Sequence, residues 1–98
     1  MRRLFMVIRT RGPAWQDALP LEGHADWGPH ASFMNALASE GFVILGGPLE
    51  GTADVLLVIR ARTPEEIRSR LAEDPWARND LLQITQVVPW TLRLGHLG

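Results

Sequence analysis

The pattern of apolar and polar positions along the chain predicts four β-strands. The first, Leu4–Arg11, opens with bulky apolar residues and then alternates as far as the break at Gly12-Pro13. The third, Asp54–Ala61, has an uninterrupted apolar centre, and shorter strands are predicted at Phe42–Leu45 and Gln83–Val88. The first and third strands are apolar on both faces, as is typical of strands covered on both sides, so both belong at the centre of a sheet.

Two segments combine helical periodicity with helix end signals. The first helix begins near Pro29 and ends before Gly41, a residue suited to the position after a helix C-terminus. The second begins at Thr63, which is followed by proline at the first helical position and by Glu66 in a capping-box position. A further helical turn is predicted at Ala77–Leu81, after an interruption by Glu73-Asp74-Pro75-Trp76.

The resulting order, β-α-β-β-α-β, predicts an α+β ferredoxin-like fold formed by one domain, residues 1–98. In that fold a four-stranded antiparallel sheet carries both helices on one face, and the fourth strand lies at an edge, where Pro89 interrupts no interior ladder. The other face would expose more valine, leucine and phenylalanine than a monomer usually tolerates. We therefore expect a homodimer that forms through this sheet face.

Composition excludes several classes of protein. The 98 residues contain no cysteine, which removes disulfide scaffolds and cysteine-based zinc sites. The formal net charge of −1 gives no basic footprint for nucleic acid. No apolar run approaches the roughly 18 residues of a membrane span, and the apolar stretch at the N-terminus breaks at Arg9, which does not fit a signal peptide. We expect a cytoplasmic protein with neither a nucleic-acid nor a membrane partner.

His30 and Asp74 are the strongest candidates for acid/base chemistry. His30 lies in the first turn of the first predicted helix, where the positive end of the helix dipole favours a neutral imidazole, the form that a general base needs. The alternative is a histidine that only packs against a neighbour. Asp74 precedes Pro75 and fits an N-cap, but its carboxylate could equally orient a histidine. Sequence alone does not decide whether the two side chains meet.

Other residues suggest weaker hypotheses. Arg9 could clamp a carboxylate, or it could be a salt-bridged surface arginine. His24, Asp26 and His30 are metal-ligand types, but their spacing matches no metal signature, so no metal is expected. Gly46-Gly47-Pro48 is interpreted as a turn between strands that shapes a pocket wall.

Four short motifs follow one another along the chain: His30-x-x-Phe33-Met34-x-x-Leu37-x-x-Glu40-Gly41, Gly46-Gly47-Pro48, Asp74-Pro75-Trp76 and Pro89-Trp90. Their order and spacing resemble the YCII-related family of the dimeric α/β-barrel superfamily. The resemblance covers about Leu4 to Leu94. It implies a homodimer in which two sheets pair face to face. It also implies a pocket with His30 and Asp74 as active-site residues. Some members have an aspartate where this chain has Ser39.

The superfamily includes muconolactone isomerases, cofactor-free monooxygenases and dehydrohalogenating lyases, which share proton movement at a carbon beside a carbonyl. The resemblance therefore implies a cofactor-independent lyase or isomerase that acts on a small cyclic or aromatic-derived acid. His30 would be the acid/base and Asp74 its partner. The alternative is a non-catalytic dimeric module that binds a small molecule near His30. The expected substrate-binding residues are Arg9, Trp27, Gly47, Pro48 and Trp76.

Overall fold

Four strands form one antiparallel sheet in the computed structural model, which describes residues 1–97. The strands are β1 (Arg3–Arg11), β2 (Val43–Pro48), β3 (Asp54–Ala61) and β4 (Leu82–Pro89). Their order across the sheet is β2-β3-β1-β4, so β1 and β3 are central and β4 is an edge strand. The predicted ferredoxin-like α+β fold is confirmed, and the two strands that are apolar on both faces do lie at the centre of the sheet.

Three helices connect the strands: α1 (Trp27–Ser39), α2 (Pro64–Leu71) and the single turn α3 (Pro75–Arg78). The Thr63 side chain accepts a hydrogen bond from the Glu66 backbone N–H and caps α2, as its sequence pattern predicts. α1 begins at Trp27, with Pro29 in its first turn as predicted. The helical turn predicted at Ala77–Leu81 lies earlier, at Pro75–Arg78, after the N-cap Asp74. No helix within residues 1–97 is long and apolar enough to cross a membrane.

The hydrophobic core lies between the helices and one face of the sheet. Because side chains alternate along a strand, β1 points Phe5, Val7 and then Arg9 toward the helices. Burying each large apolar side chain contributes about 1.5–3 kcal/mol. The same alternation that builds the core thus buries a guanidinium group at its end. The core side chains include Phe5, Val7, Leu37, Phe42, Val43, Leu57, Ile59, Ile67 and Leu71.

The predicted turn at Gly46-Gly47-Pro48 was wrong, because these residues extend β2. They pair with Leu57, Leu56 and Val55 of β3 in turn. A Cβ on Gly46 would lie 2.6 Å from a Leu57 methyl carbon, so this glycine permits close packing rather than a turn. Proline is tolerated at the end of β2 because β2 is an edge strand.

The segment between β1 and α1 folds back against the end of the sheet. It begins at Gly12, whose N–H donates to the Leu81 carbonyl at 3.0 Å. A Cβ at Gly12 would lie 2.2 Å from the carbonyl oxygen of Asp80, a distance that no side chain can accommodate without movement of the backbone. The segment then places Trp15 beside Trp76, in a second apolar cluster next to α3.

Candidate functional site

Three charged or titratable side chains meet beneath α1. His30 projects from the first turns of α1, Asp74 precedes α3, and Arg9 reaches them from β1. His30 Nδ1 lies 2.9 Å from both carboxylate oxygens of Asp74, and Arg9 Nη1 lies 2.8 Å from Asp74 Oδ2. All three residues are buried, and Asp74 has no exposed surface. The structure thus brings together residues that are 44 and 65 positions apart in the chain.

Asp74 is held as a carboxylate by the groups around it. Burial alone would raise its pKa, but hydrogen bonds from His30, from the Trp76 backbone N–H and from Arg9 outweigh burial, and the pKa lies below its ordinary value of 3.8. The bond from Trp76 N, 3.0 Å long, also caps α3. The cap interpretation and the histidine-partner interpretation of Asp74 therefore describe the same carboxylate.

The position of Asp74 fixes the tautomer of neutral His30. An ionised carboxylate is only an acceptor, so His30 Nδ1 carries the hydrogen and donates it to Asp74. The lone pair then resides on Nε2, which is the nitrogen available to take a proton from a ligand.

Aromatic side chains hold the imidazole ring in place. The ring of His30 stacks on the indole of Trp76, with centroids 3.9 Å apart and planes within 6°. Trp27 lies beside both rings, at centroid distances of 6.0 Å from His30 and 5.7 Å from Trp76. The indole N–H of Trp76 donates to the carbonyl of Ala25 at 2.7 Å, which connects α3 to the segment before α1. Rotation of the His30 ring would break this stack as well as the bond to Asp74.

A cavity of about 300 Å³ opens beside this group, between α1, β2 and the segment after β1. It is bounded by the predicted site residues Arg9, Trp27, His30, Gly47, Pro48 and Trp76. Asp74 is not part of the cavity wall, since it lies behind His30. The walls are mainly apolar, which suits a small ligand with a large hydrocarbon surface.

Arg9 differs from both interpretations that the sequence left open. It is not a surface arginine, because only 1% of the residue is exposed. The carboxylate that it binds belongs to Asp74 rather than to a ligand. Its Nε atom has no hydrogen-bond partner among residues 1–97, so the ion pair with Asp74 provides the main compensation for this buried charge.

The metal-ligand types near His30 do not converge. Both nitrogens of His24 are engaged, Nε2 by the Gln16 N–H at 3.1 Å and Nδ1 with the carbonyl of Pro20 at 3.0 Å. The Asp26 carboxylate accepts from the Asn79 amide. Within the described part of the chain, no three histidine, aspartate or glutamate side chains are grouped as a metal site would require.

Sequence reasoning did not select two further residues of the cavity wall. Trp15 stacks on His24, with centroids 3.9 Å apart, and also contacts the edge of Trp76. Arg11 lies with its guanidinium 4.7 Å from the centre of a Trp15 ring. The alternation of β1 was the available signal for Arg11, since it places Arg11 on the same face as Arg9.

Comparison with known proteins identifies the family of the chain and a solved structure with a similar fold. A family model described as the YCII-related domain matches residues 4–91. A similar solved structure is the 5-chloro-2-hydroxyhydroquinone dehydrochlorinase of Burkholderia phenoliruptrix AC1100, in complex with 2,5-dihydroxybenzoquinone. It shares 19% identity and a TM-score of 0.63, over 94% of this chain and 95% of that one. No curated protein sequence matches the chain.

Proposed function

This chain belongs to the YCII-related family, and on that premise we propose that it is a cofactor-independent lyase or isomerase. It would move a proton on a small cyclic or aromatic-derived acid, with His30 as the catalytic acid/base. Asp74 would be a positioning residue, because its carboxylate lies behind His30 and is not itself part of the cavity wall.

The observation that carries the proposal is the hydrogen bond between His30 Nδ1 and ionised Asp74, beside a largely apolar cavity. The bond directs the basic lone pair to Nε2, and the ion pair with Arg9 keeps Asp74 from taking the Nδ1 proton. When His30 is neutral, the charges of Arg9 and Asp74 cancel. A proton taken from a ligand therefore adds one positive charge, which the Asp74 carboxylate and the Trp76 ring both stabilise.

The chemistry follows from this arrangement. His30 Nε2 removes a proton from a carbon beside a carbonyl, and the electron pair of the C–H bond moves into an enolate. In an isomerase, the imidazolium returns the proton to a different carbon. In a lyase, the electron pair instead expels a leaving group from the adjacent carbon. The structural neighbour is named as a dehydrochlorinase, an enzyme that removes a proton and a chloride, which supports the second version.

The experiment that tests the proposal measures proton exchange. The protein is incubated in D₂O with lactones, muconate-like acids and chlorinated hydroquinones. NMR follows deuterium incorporation, and chloride release is measured for the chlorinated compounds. We expect His30→Gln to abolish activity while the fold is retained, and Asp74→Asn to reduce it strongly. Exchange that survives His30→Gln would exclude this mechanism. A ligand that binds saturably but undergoes no reaction would favour the alternative, a non-catalytic binding module.

We further propose that the protein is a homodimer through the sheet face that carries no helices. This face presents Leu4, Met6 and Leu56 at its centre, with Leu45 55% exposed and Val88 43% exposed at its edges. Contact with the same face of a second copy would remove these side chains from water. Light scattering of the native chain and of Met6→Glu should give the mass of a dimer and of a monomer, respectively.

A further inference from the structure

The cavity wall contains two arginines, and only one of them is committed to a protein carboxylate. Arg9 is fully buried against Asp74, as described above. The only ion pair of Arg11 among residues 1–97 is a 4.0 Å contact with Asp17, whose side chain is 93% exposed. The Arg11 side chain is itself 39% exposed and reaches the cavity from the end of β1. Arg11 is therefore a cation that a ligand can bind at little cost, because water already screens its contact with Asp17.

The other acidic groups around the cavity leave this cation available. Asp54 contributes to the cavity wall, but it accepts from the Thr10 hydroxyl at 2.7 Å. Thr10 and Asp54 are paired across β1 and β3, on the sheet face opposite to that of Arg11. Asp74 is compensated by Arg9.

We infer that Arg11 forms an anion-binding subsite and that the substrate is a ring acid whose carboxylate binds there. This inference rests on the proposed function, because it places the reacting carbon at His30 Nε2. Arg11 is two residues beyond Arg9 on the same face of β1, which separates their Cα atoms by about 7 Å. Arg11 and His30 both bound the cavity, and the apolar walls around them suit a ring that joins the carboxylate to the reacting carbon.

Trp15 prepares Arg11 for this role. The guanidinium is stacked 4.7 Å from the centre of a Trp15 ring, an arrangement that restricts the flexible side chain before a ligand arrives. A planar guanidinium held in this way can present two parallel N–H groups to a carboxylate. Less conformational entropy is then lost on binding than for an unrestrained surface arginine. The apolar walls would contact the ring between the two polar ends.

The test uses benzoate and benzamide as probes, since they have nearly the same shape but differ in charge. Isothermal titration calorimetry with the native protein should show that benzoate binds about tenfold more tightly than benzamide. This difference in affinity should become smaller as salt is added. Arg11→Gln should abolish this preference, and Arg11→Lys should restore part of it. The matched control is Arg62→Gln, an exposed arginine at the opposite end of the sheet, which should retain the full preference.

Equal binding of the two probes, no binding of either, or a preference for benzoate that survives Arg11→Gln would each overturn the inference. His30→Gln separates this result from the proposed function. It should retain the preference for benzoate, because it leaves Arg11 in place, while it loses proton exchange. Proton exchange that persists in His30→Gln would refute the mechanism but not the subsite, whereas loss of the preference in Arg11→Gln alone supports the subsite specifically.

Discussion

Replacement of Arg9 by methionine should destabilise the protein far more than the loss of an equally short ion pair on its surface. Methionine keeps most of the apolar stem of arginine but removes the guanidinium that lies 2.8 Å from Asp74. The Asp74 carboxylate would remain buried and would keep two of its three donors, His30 Nδ1 and the backbone N–H of Trp76. The folded state would then contain a desolvated anion without its cation.

The structure sets the magnitude of this effect. The Arg9 and Asp74 side chains are 2% and 0% exposed, so water screens neither charge. Breaking a buried pair by removal of one partner costs about 3–5 kcal/mol. The two donors that remain on Asp74 place the expected loss at the lower end, about 3 kcal/mol. For a chain of this length, such a loss lowers the melting temperature by roughly 12–24 °C.

Guanidinium unfolding, followed by tryptophan fluorescence at one fixed protein concentration, measures this loss. The matched control is Arg70→Met, which breaks a 2.7 Å ion pair with Glu40. The side chains of Arg70 and Glu40 are 33% and 47% exposed. We expect a much smaller loss there. The double variant Arg9→Met/Asp74→Asn should recover part of the stability, because it leaves no uncompensated anion. A loss in Arg9→Met no larger than in Arg70→Met, or strict additivity in the double variant, would refute the reasoning.

Three further predictions concern stability. The pKa of Asp74 is lowered in the folded protein, so its contribution to the free energy of unfolding is present above the ordinary pKa of 3.8 and is lost as the pH falls through the folded pKa. The free energy of unfolding, measured from about pH 6 to about pH 2, should therefore decrease less steeply for Asp74→Asn than for the native chain. Gly12→Ala should lower the free energy of unfolding by about 1–3 kcal/mol, because its Cβ would lie 2.2 Å from a backbone carbonyl oxygen. Gly47→Ala is the control and should change it little, since a Cβ there has nothing within 4 Å. Equal losses in the two variants would contradict this explanation. Thr63→Ala should cost about 1 kcal/mol, since it removes the cap of α2, and Thr63→Ser should restore most of it by the same denaturant assay.

The sequence predicted part of the candidate site through local signals. Asp74 followed by Pro75 indicated an N-cap, and the structure has that cap. The placement of His30 in the first turns of a helix also followed from nearby residues. The burial of Arg9 was not predicted, although the alternation of β1 places it on the same face as the core residues. An arginine at the end of a strand is usually solvated, and only its partner reveals that it is buried.

The misplaced turn in β2 has a similar cause. Glycine and proline usually mark turns, so Gly46-Gly47-Pro48 was interpreted as one. In the structure, Gly46 instead makes room for the Leu57 side chain across the strand pair. The side chain that packs against this glycine comes from the neighbouring strand β3, and the local pattern therefore carries no sign of it.

Local sequence was enough to predict most elements, the caps of α2 and α3 and the two central strands, because these depend on periodicity and on hydrogen bonds within a few residues. The meeting of Arg9, Asp74 and His30 depends instead on how distant parts of the chain pack together. Their contacts depend on the register of β1 and on the way that α1 and α3 pack at the end of the sheet. These relations join positions 44 to 65 residues apart and arise from packing the core rather than from any local preference.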